Sequence, residues 1–303
     1  MIRNFTILNN NLKLNIITHD VENPNAVLIH IHGLGGHFQA TYDKYDSFEY
    51  RIKMLPSDVI SYGLELRGHG LSDGARFAVN DFNDYLSDLH TLVEYITQYH
   101  PQLQIFILGC SMGGAIATLY SIKYPKKISG LILLAPMTGI SEKINQSWLK
   151  IKLVVYISYI LPSCRMISIS NDDAYIEEYM MCRKMCKYHN KLNIRCDTGR
   201  ECYNAMLSIE ENSNLLNTPI LAFHAKNDTV TSSKTTIEFI NRCSSYDKKL
   251  VELDTGYHNL LVPISEDDMQ PDEILNTINK WIDNKIIRIH RIPKELFELI
   301  SID

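Results

Sequence analysis

The sequence predicts an α/β protein: a mostly parallel central sheet with helices on both faces. Three observations carry this. Short apolar runs of strand length recur along the chain, amphipathic stretches of helical spacing lie between them, and several runs end in glycine-rich turns. A parallel sheet is covered on both faces, so its strands read as nearly continuous apolar runs, as here.

The elements follow in order. Phe5–Leu8 and Leu12–Ile17 bracket Asn9-Asn10-Asn11 and predict a β-hairpin with an asparagine turn. Ala26–His32 is a strand stopped by Gly33, and Val59–Leu66 is a strand stopped by Arg67-Gly68-His69-Gly70. Over Asp81–Tyr99 the apolar residues Phe82, Tyr85, Leu86, Leu89, Leu92, Val93 and Ile96 fall on one helical face. Ile105–Leu108, Ile128–Leu134, Ile220–Phe223 and Leu250–Leu253 are further strands, and Pro271–Asn284 reads as a closing helix. Residues 138–216 break the rhythm: they lack clear strand runs and look helical and irregular. The expected organisation is a core of 1–137 and 217–285, a helical cap inserted at 138–216, and a C-terminal extension of 286–303.

Bulk properties narrow the function. The chain has 303 residues, 45% hydrophobic and 21% charged, with a net charge of −5 and no long basic run. That composition argues against disorder and against nucleic-acid binding. The N-terminal segment lacks the apolar core of a signal peptide, and the seven cysteines have no framework spacing, so reduced thiols and a cytoplasmic setting are expected.

The chemistry centres on Phe106–Ala117, FILGCSMGGAIA. An apolar strand ends in Gly109-Cys110-Ser111-Met112-Gly113, then Gly114 and two alanines open a helix. A serine between glycines on a strand-to-helix turn is a nucleophile elbow. Gly109 and Gly113 remove side chains that would clash in so tight a turn. The geometry raises the Ser111 hydroxyl and aims the Met112 N–H at a developing oxyanion. A serine hydroxyl is a poor nucleophile and needs a base, which in turn needs an orienting carboxylate. After such an elbow the order is serine, acid, histidine. Asp228 follows the strand ending near His224, and His258 follows the strand ending at Leu253. Asp254 competes for the acid role but sits only four residues before His258. The loop His32-Gly33-Leu34-Gly35-Gly36-His37 supplies the second oxyanion donor, the Leu34 N–H. Its glycines account for it better than a metal site does, and no metal or cofactor is expected.

HGLGGH, LRGHGLSDG, GCSMGGAIA, the Asp228 loop and GYHNLL occur in the order and spacing of the monoacylglycerol lipase-like branch of the α/β-hydrolase superfamily, which the chain resembles over about residues 5–284. The resemblance implies the α/β-hydrolase fold, with Ser111 as nucleophile, Asp228 as acid, His258 as base, and Leu34 and Met112 as oxyanion donors. It also implies a small-molecule lipid ester as substrate, most specifically monoacylglycerol. Lysophospholipids and general carboxylic esters are the alternative, peptides a lesser one, and a non-catalytic lipid-binding protein the rival from another class. The chain departs from the pattern at Gly36, often glutamate, at Ala225, usually glycine, and at Leu261-Val262-Pro263, where charged residues are common.

Ser147–Pro162 reads as one apolar helix, placed where related lipases carry a cap helix that meets lipid. Trp148, Ile151, Val155 and Tyr159 are its candidate lipid contacts, with Tyr156 beside them, and peripheral membrane contact through the cap is expected. The competing expectation for this helix is burial of the same residues against the body. Cys182 and Cys186, with Cys196 and Cys202 nearby, read as ordinary thiols. Pro293–Ile300 has the pattern of a short helix.

Overall fold

The computed structural model describes residues 2–39, 45–139, 148–167, 186–188 and 193–286. The chain opens with a hairpin, β1 (Ile2–Asn9) and β2 (Leu12–His19), in which Asn9 pairs with Leu12. Asn10 and Asn11 both take positive φ, 50° and 64°. A two-residue hairpin turn demands that conformation twice, and asparagine tolerates it.

The strands β3 (Ala26–Ile31), β4 (Val59–Leu64), β5 (Gln104–Cys110), β6 (Gly130–Leu134), β9 (Ile220–Ala225) and β10 (Lys248–Leu253) complete a sheet with the order β1-β2-β4-β3-β5-β6-β9-β10. From β4 to β10 all neighbours are parallel; β1, β2 and β4 join antiparallel. The chain steps from β3 to β4 on one side, then crosses to β5 on the other. Such a reversal opens a crevice beyond the C-terminal ends of the two central strands. The loop after β3 and the turn after β5 therefore meet there.

Both faces of the sheet are covered. On one, α2 (Phe82–Tyr99), α3 (Met112–Lys123) and α6 (Ser233–Arg242) bury Leu89, Ile116 and Phe239. On the other, α7 (Gln270–Lys285) buries Ile274, Leu275, Ile278 and Ile282. The short α1 (Phe48–Ile52), whose N-cap is Ser47, was not foreseen; five residues are too few to show a period. Asp81 caps α2 by accepting from the Asn83 N–H at 2.8 Å.

Between β6 and β9 lie α4 (Trp148–Ile160), a two-strand pair of β7 (Arg165–Ile167) and β8 (Ile194–Arg195), and α5 (Cys196–Asn212). The strand pair was not expected from the sequence and is too short to leave an alternating pattern. Among the described residues no helix is long and apolar enough to cross a membrane. Cys182 and the extension beyond Ile286 lie outside the described residues.

The loop Arg67-Gly68-His69-Gly70 is held to α2 by charge. Arg67 reaches Asp88 through Nε at 2.6 Å and Nη2 at 2.7 Å, and Asp84 through Nη1 at 2.6 Å. The Asp88 side chain is wholly buried and also accepts from Asn9 Nδ2 at 2.7 Å. It thus ties the first hairpin, the loop and α2 together. Removing the Asp88 carboxylate leaves a partly buried guanidinium with Asp84 alone and the Asn9 amide without its acceptor there, at a cost of about 1–3 kcal/mol. Asp88→Ala is expected to lower the urea unfolding free energy by about 2 kcal/mol; a midpoint unchanged from wild type would refute this anchor.

Candidate active site

Ser111 sits at the junction of β5 and α3 with φ 51° and ψ −118°. A non-glycine residue there is strained by about 1–3 kcal/mol and persists only where its surroundings enforce it. They do. Its N–H donates to the Leu134 carbonyl at 3.0 Å, and its own carbonyl accepts from Gly114, Ala115 and Met137. A Cβ at Gly109 would stand 2.5 Å from the Gly113 carbonyl oxygen, and one at Gly113 would stand 2.5 Å from the Ile31 oxygen. Only glycine fits at either position. The Ser111 side chain is left partly exposed in the crevice.

The loop after β3 lies against it. A Cβ on Gly33 would be 3.1 Å from Ser111 Cβ. Leu34 follows, half-buried, and Met112 begins α3, whose first N–H groups have no partner within the helix. Polar groups frame the loop beside the apolar packing of Leu34 and Phe38. His32 Nδ1–H donates to the Gly33 carbonyl at 2.8 Å while Nε2 accepts from the Leu66 N–H at 3.1 Å. Glu65, fully buried, accepts from the Phe38 N–H at 3.0 Å, the Leu71 N–H at 2.7 Å and Asn15 Nδ2 at 3.0 Å. His37 Nδ1 accepts from the Gln39 N–H, so Nε2–H points at Cys186 Sγ, 3.1 Å away.

On the other side, β9 delivers Asp228 and β10 delivers His258. His258 Nδ1–H donates to Asp228 Oδ2 at 2.8 Å. Asp228 Oδ1 accepts from the N–H groups of Val230 at 2.7 Å and Thr231 at 3.0 Å, and Oδ2 accepts from the Thr231 hydroxyl at 2.8 Å. Burial pushes the carboxyl up, but hydrogen bonds from His224 and His258 outweigh it. The group is held well below the usual carboxylate range and is ionised throughout the neutral region. The rival carboxylate, Asp254, is exposed and pairs with Lys226 at 2.5 Å.

Three groups escaped the sequence reading. His224, in β9, touches Asp228. Glu65 frames the oxyanion-side loop. Arg51, fully buried, donates to Cys110 Sγ at 3.1 Å and pairs with Asp46, whose Oδ2 accepts from Asn259 Nδ2 at 2.8 Å. The signal for the first two was a lone ionisable residue in or beside an apolar strand run, which marks burial without naming a partner. Of the cap residues, Val155 is half-buried and Tyr159 exposed, with Arg200 over its ring; Trp148 and Ile151 belong to α4, their side chains outside the described set.

Residues 22–264 match the family described as serine aminopeptidase, S33. Monoglyceride lipase of Mus musculus is 26% identical over 272 residues, covering 87% of this chain and 84% of that protein. Lysophospholipase L2 of Escherichia coli (strain K12) is 37% identical over 105 residues, 33% of this chain and 30% of that protein. A soluble variant of monoglyceride lipase from Saccharomyces cerevisiae, solved with a substrate analogue, superposes with a TM-score of 0.76 at 18% identity, covering 94% of this chain and 95% of that one.

The histidines around the serine-side loop set a pH limit. Burial holds His30 and His32 well below the ordinary value, with Arg51 adding to the effect on His30 and His69 to that on His32. Burial brings His37 and His69 down to about 4. The unfolded chain takes up these protons near pH 6.5 and the folded chain does not. Unfolding is therefore favoured as the pH falls from 6.5 toward 4, at up to about 1.4 kcal/mol per unit for the fully buried His69. The urea midpoint is expected to drop between about pH 7 and about pH 5, with His69→Asn flattening the slope; equal midpoints at the two pH values would disprove it.

Proposed function

The chain belongs to the serine aminopeptidase S33 family as a monoacylglycerol lipase-like α/β-hydrolase, and from that membership we propose that it hydrolyses a lipid ester, monoacylglycerol before others, through Ser111, Asp228 and His258. The observation that carries the reading is the 2.8 Å bond from His258 Nδ1–H to Asp228 Oδ2, two residues that follow β10 and β9 at the same C-terminal sheet edge as the strained Ser111 elbow after β5. With Nδ1 carrying its proton to the carboxylate, Nε2 of a neutral His258 is left as the basic nitrogen. His258 takes the Ser111 proton, Ser111 Oγ attacks the ester carbonyl, and the Leu34 and Met112 N–H groups receive the oxyanion. His258 then protonates the leaving alkoxide and glycerol departs. Water, deprotonated by the same imidazole, cleaves the acyl-enzyme to free fatty acid. Every step uses groups of this chain, so the proposed reaction needs no cofactor.

The substrate reading draws on the cap. The proposed cap is the insertion between β6 and β9, represented among the described residues by α4, the β7–β8 pair and α5. In α4, Leu153, Tyr156, Tyr159 and Ile160, with Leu161 just after it, are 54–72% exposed and lie on the outer side with Lys152. Apolar and aromatic residues beside a lysine suit a membrane interface. Lysophospholipid hydrolysis is the second reading, favoured by the local similarity to the Escherichia coli lysophospholipase.

The test measures fatty-acid release from long-chain monoacylglycerols, lysophospholipids and short p-nitrophenyl esters, with Ser111→Ala alongside. Wild type is expected to prefer the long-chain monoacylglycerol, and the variant to lose more than about 10³-fold in kcat. Preference for lysophospholipid would replace the substrate; inactivity of wild type on all three would overturn the enzyme. A parallel vesicle-sedimentation assay is expected to show Tyr156→Glu/Ile160→Glu protein remaining in the supernatant while wild type pellets with anionic vesicles. Equal pelleting would sink the membrane contact.

A further inference from the structure

Asp228 has two histidine partners, and the proposed chemistry uses one. The other, His224, lies four residues earlier, in β9, with its side chain wholly buried. Its Nε2 is 3.2 Å from Asp228 Oδ2, the same oxygen that His258 Nδ1 reaches at 2.8 Å. Its Nδ1 is 2.9 Å from Thr236 Oγ1 on α6, which is 3.1 Å from Thr138 Oγ1 at the exit of β6. Thr138 and Thr236 are also buried.

The hydrogens in this chain have a consistent arrangement in which the Thr231 hydroxyl, also 3.3 Å from His224 Nε2, donates to Asp228 at the shorter distance of 2.8 Å. An ionised carboxylate only accepts, so His224 Nε2 carries a hydrogen and donates it to Oδ2. With that one ring hydrogen spent, Nδ1 accepts from the Thr236 hydroxyl. Thr236 Oγ1 then accepts from the Thr138 hydroxyl. A buried polar chain satisfied along its length is rigid, and one broken link leaves the others unpaired in a low dielectric.

We propose that His224 is a positioning residue for the catalytic acid: it fixes Asp228 Oδ2 where His258 needs it, and Thr236 and Thr138 fix the His224 tautomer. This rests on the serine–aspartate–histidine reading above. Oδ1 is already held by two backbone N–H groups. Without His224, the donors left to Oδ2 among the described residues are His258 and Thr231. The Thr231 hydroxyl has an alternative acceptor in the Ala135 carbonyl at 3.2 Å, so its hold on Oδ2 is not exclusive. His224 is wholly buried and closed to substrate, so its loss falls on turnover and leaves binding alone.

The experiment compares kcat and KM of wild type, His224→Leu, His224→Gln and Ser111→Ala on the preferred ester, with thermal unfolding of each. Leucine fills the space without a donor; the glutamine amide brings an N–H to nearly the same point. H224L is expected to lose about 10- to 100-fold in kcat with KM within about twofold, and H224Q to recover to within about threefold of wild type. A pair at the far end of the chain gives a second reading that does not need H224L to fold: T236V loses turnover and T236S keeps it. A side chain acting by packing alone would leave H224L active and H224Q no better. Full activity of H224L beside an inactive S111A overturns this inference alone, as does T236V at wild-type kcat. Turnover retained by S111A overturns the serine reading and this inference with it.

Discussion

The left-handed backbone of Ser111 is the constraint on which the rest of the site depends. A serine with φ 51° has its side chain turned out of the sheet and its carbonyl turned into the start of α3. That carbonyl meets three N–H groups, from Gly114, Ala115 and Met137, and the Met137 bond ties the exit of β6 to the elbow. The helix must then begin at once, and its first turn lies on the strand it came from. Backbone meets backbone at Gly109 and Gly113, and Gly114 packs on Pro136. Side chains there would push the helix away, and the N–H groups at its start would no longer face the serine. Strain of a few kcal/mol in one residue is thus repaid by bonds on three sides of it.

Around this junction the protein uses buried polar groups where a core would use apolar ones. Loops carry N–H and C=O groups that neighbouring strands cannot satisfy, and burying them unpaired is costly. Glu65 resolves this for two loops and a strand with one carboxylate. Arg51 does it by charge: its guanidinium lies against Cys110 Sγ and pairs with Asp46, and Asp46 in turn receives Asn259, the residue after His258. The elbow and the histidine loop, more than 140 residues apart in sequence, are linked through one ion pair whose arginine is buried and whose aspartate is half-buried. Such a pair adds little net stability over apolar packing, yet breaking it is expensive, so its effect is to hold geometry.

What the sequence made legible follows from the range of each signal. Strands and long helices write their burial into local periodicity, so β3, β5, β9 and α2 could be read directly. The hairpin turn was legible because asparagine reports positive φ. Ser111, Asp228 and His258 stood out as candidates because each sits just past a strand end in a fixed chain order. Elements of two to five residues, α1, β7 and β8, are too short to repeat their period and left no trace. His224 and Arg51 carry their meaning in partners distant in the fold, and single residues do not encode partners. The isolated histidine in Ile220–Ala225 announced only that something buried would have to satisfy it.

The apolar stripe on α4 is imposed by polar contacts on its other side. Ser158, on the inner face, is buried; its hydroxyl donates to the Val155 carbonyl at 2.5 Å and accepts from Arg200 Nη1 at 3.1 Å. Arg200 belongs to α5 and pairs with Glu201, whose other oxygen accepts from the Phe82 N–H at the start of α2. The helix is therefore registered through α5 to the body of the protein. Rotating α4 to hide Tyr156 and Ile160 would expose Ser158 and strand Arg200. Each large apolar side chain left in water forgoes about 1.5–3 kcal/mol of burial. Neither the polar anchor nor the fold beneath it recovers that loss. An apolar surface pressed against the stripe does, and the substrate class proposed for Ser111 is found at such a surface. The same contacts that fix α4 on the body thus hold its apolar stripe outward, as the proposed membrane contact requires.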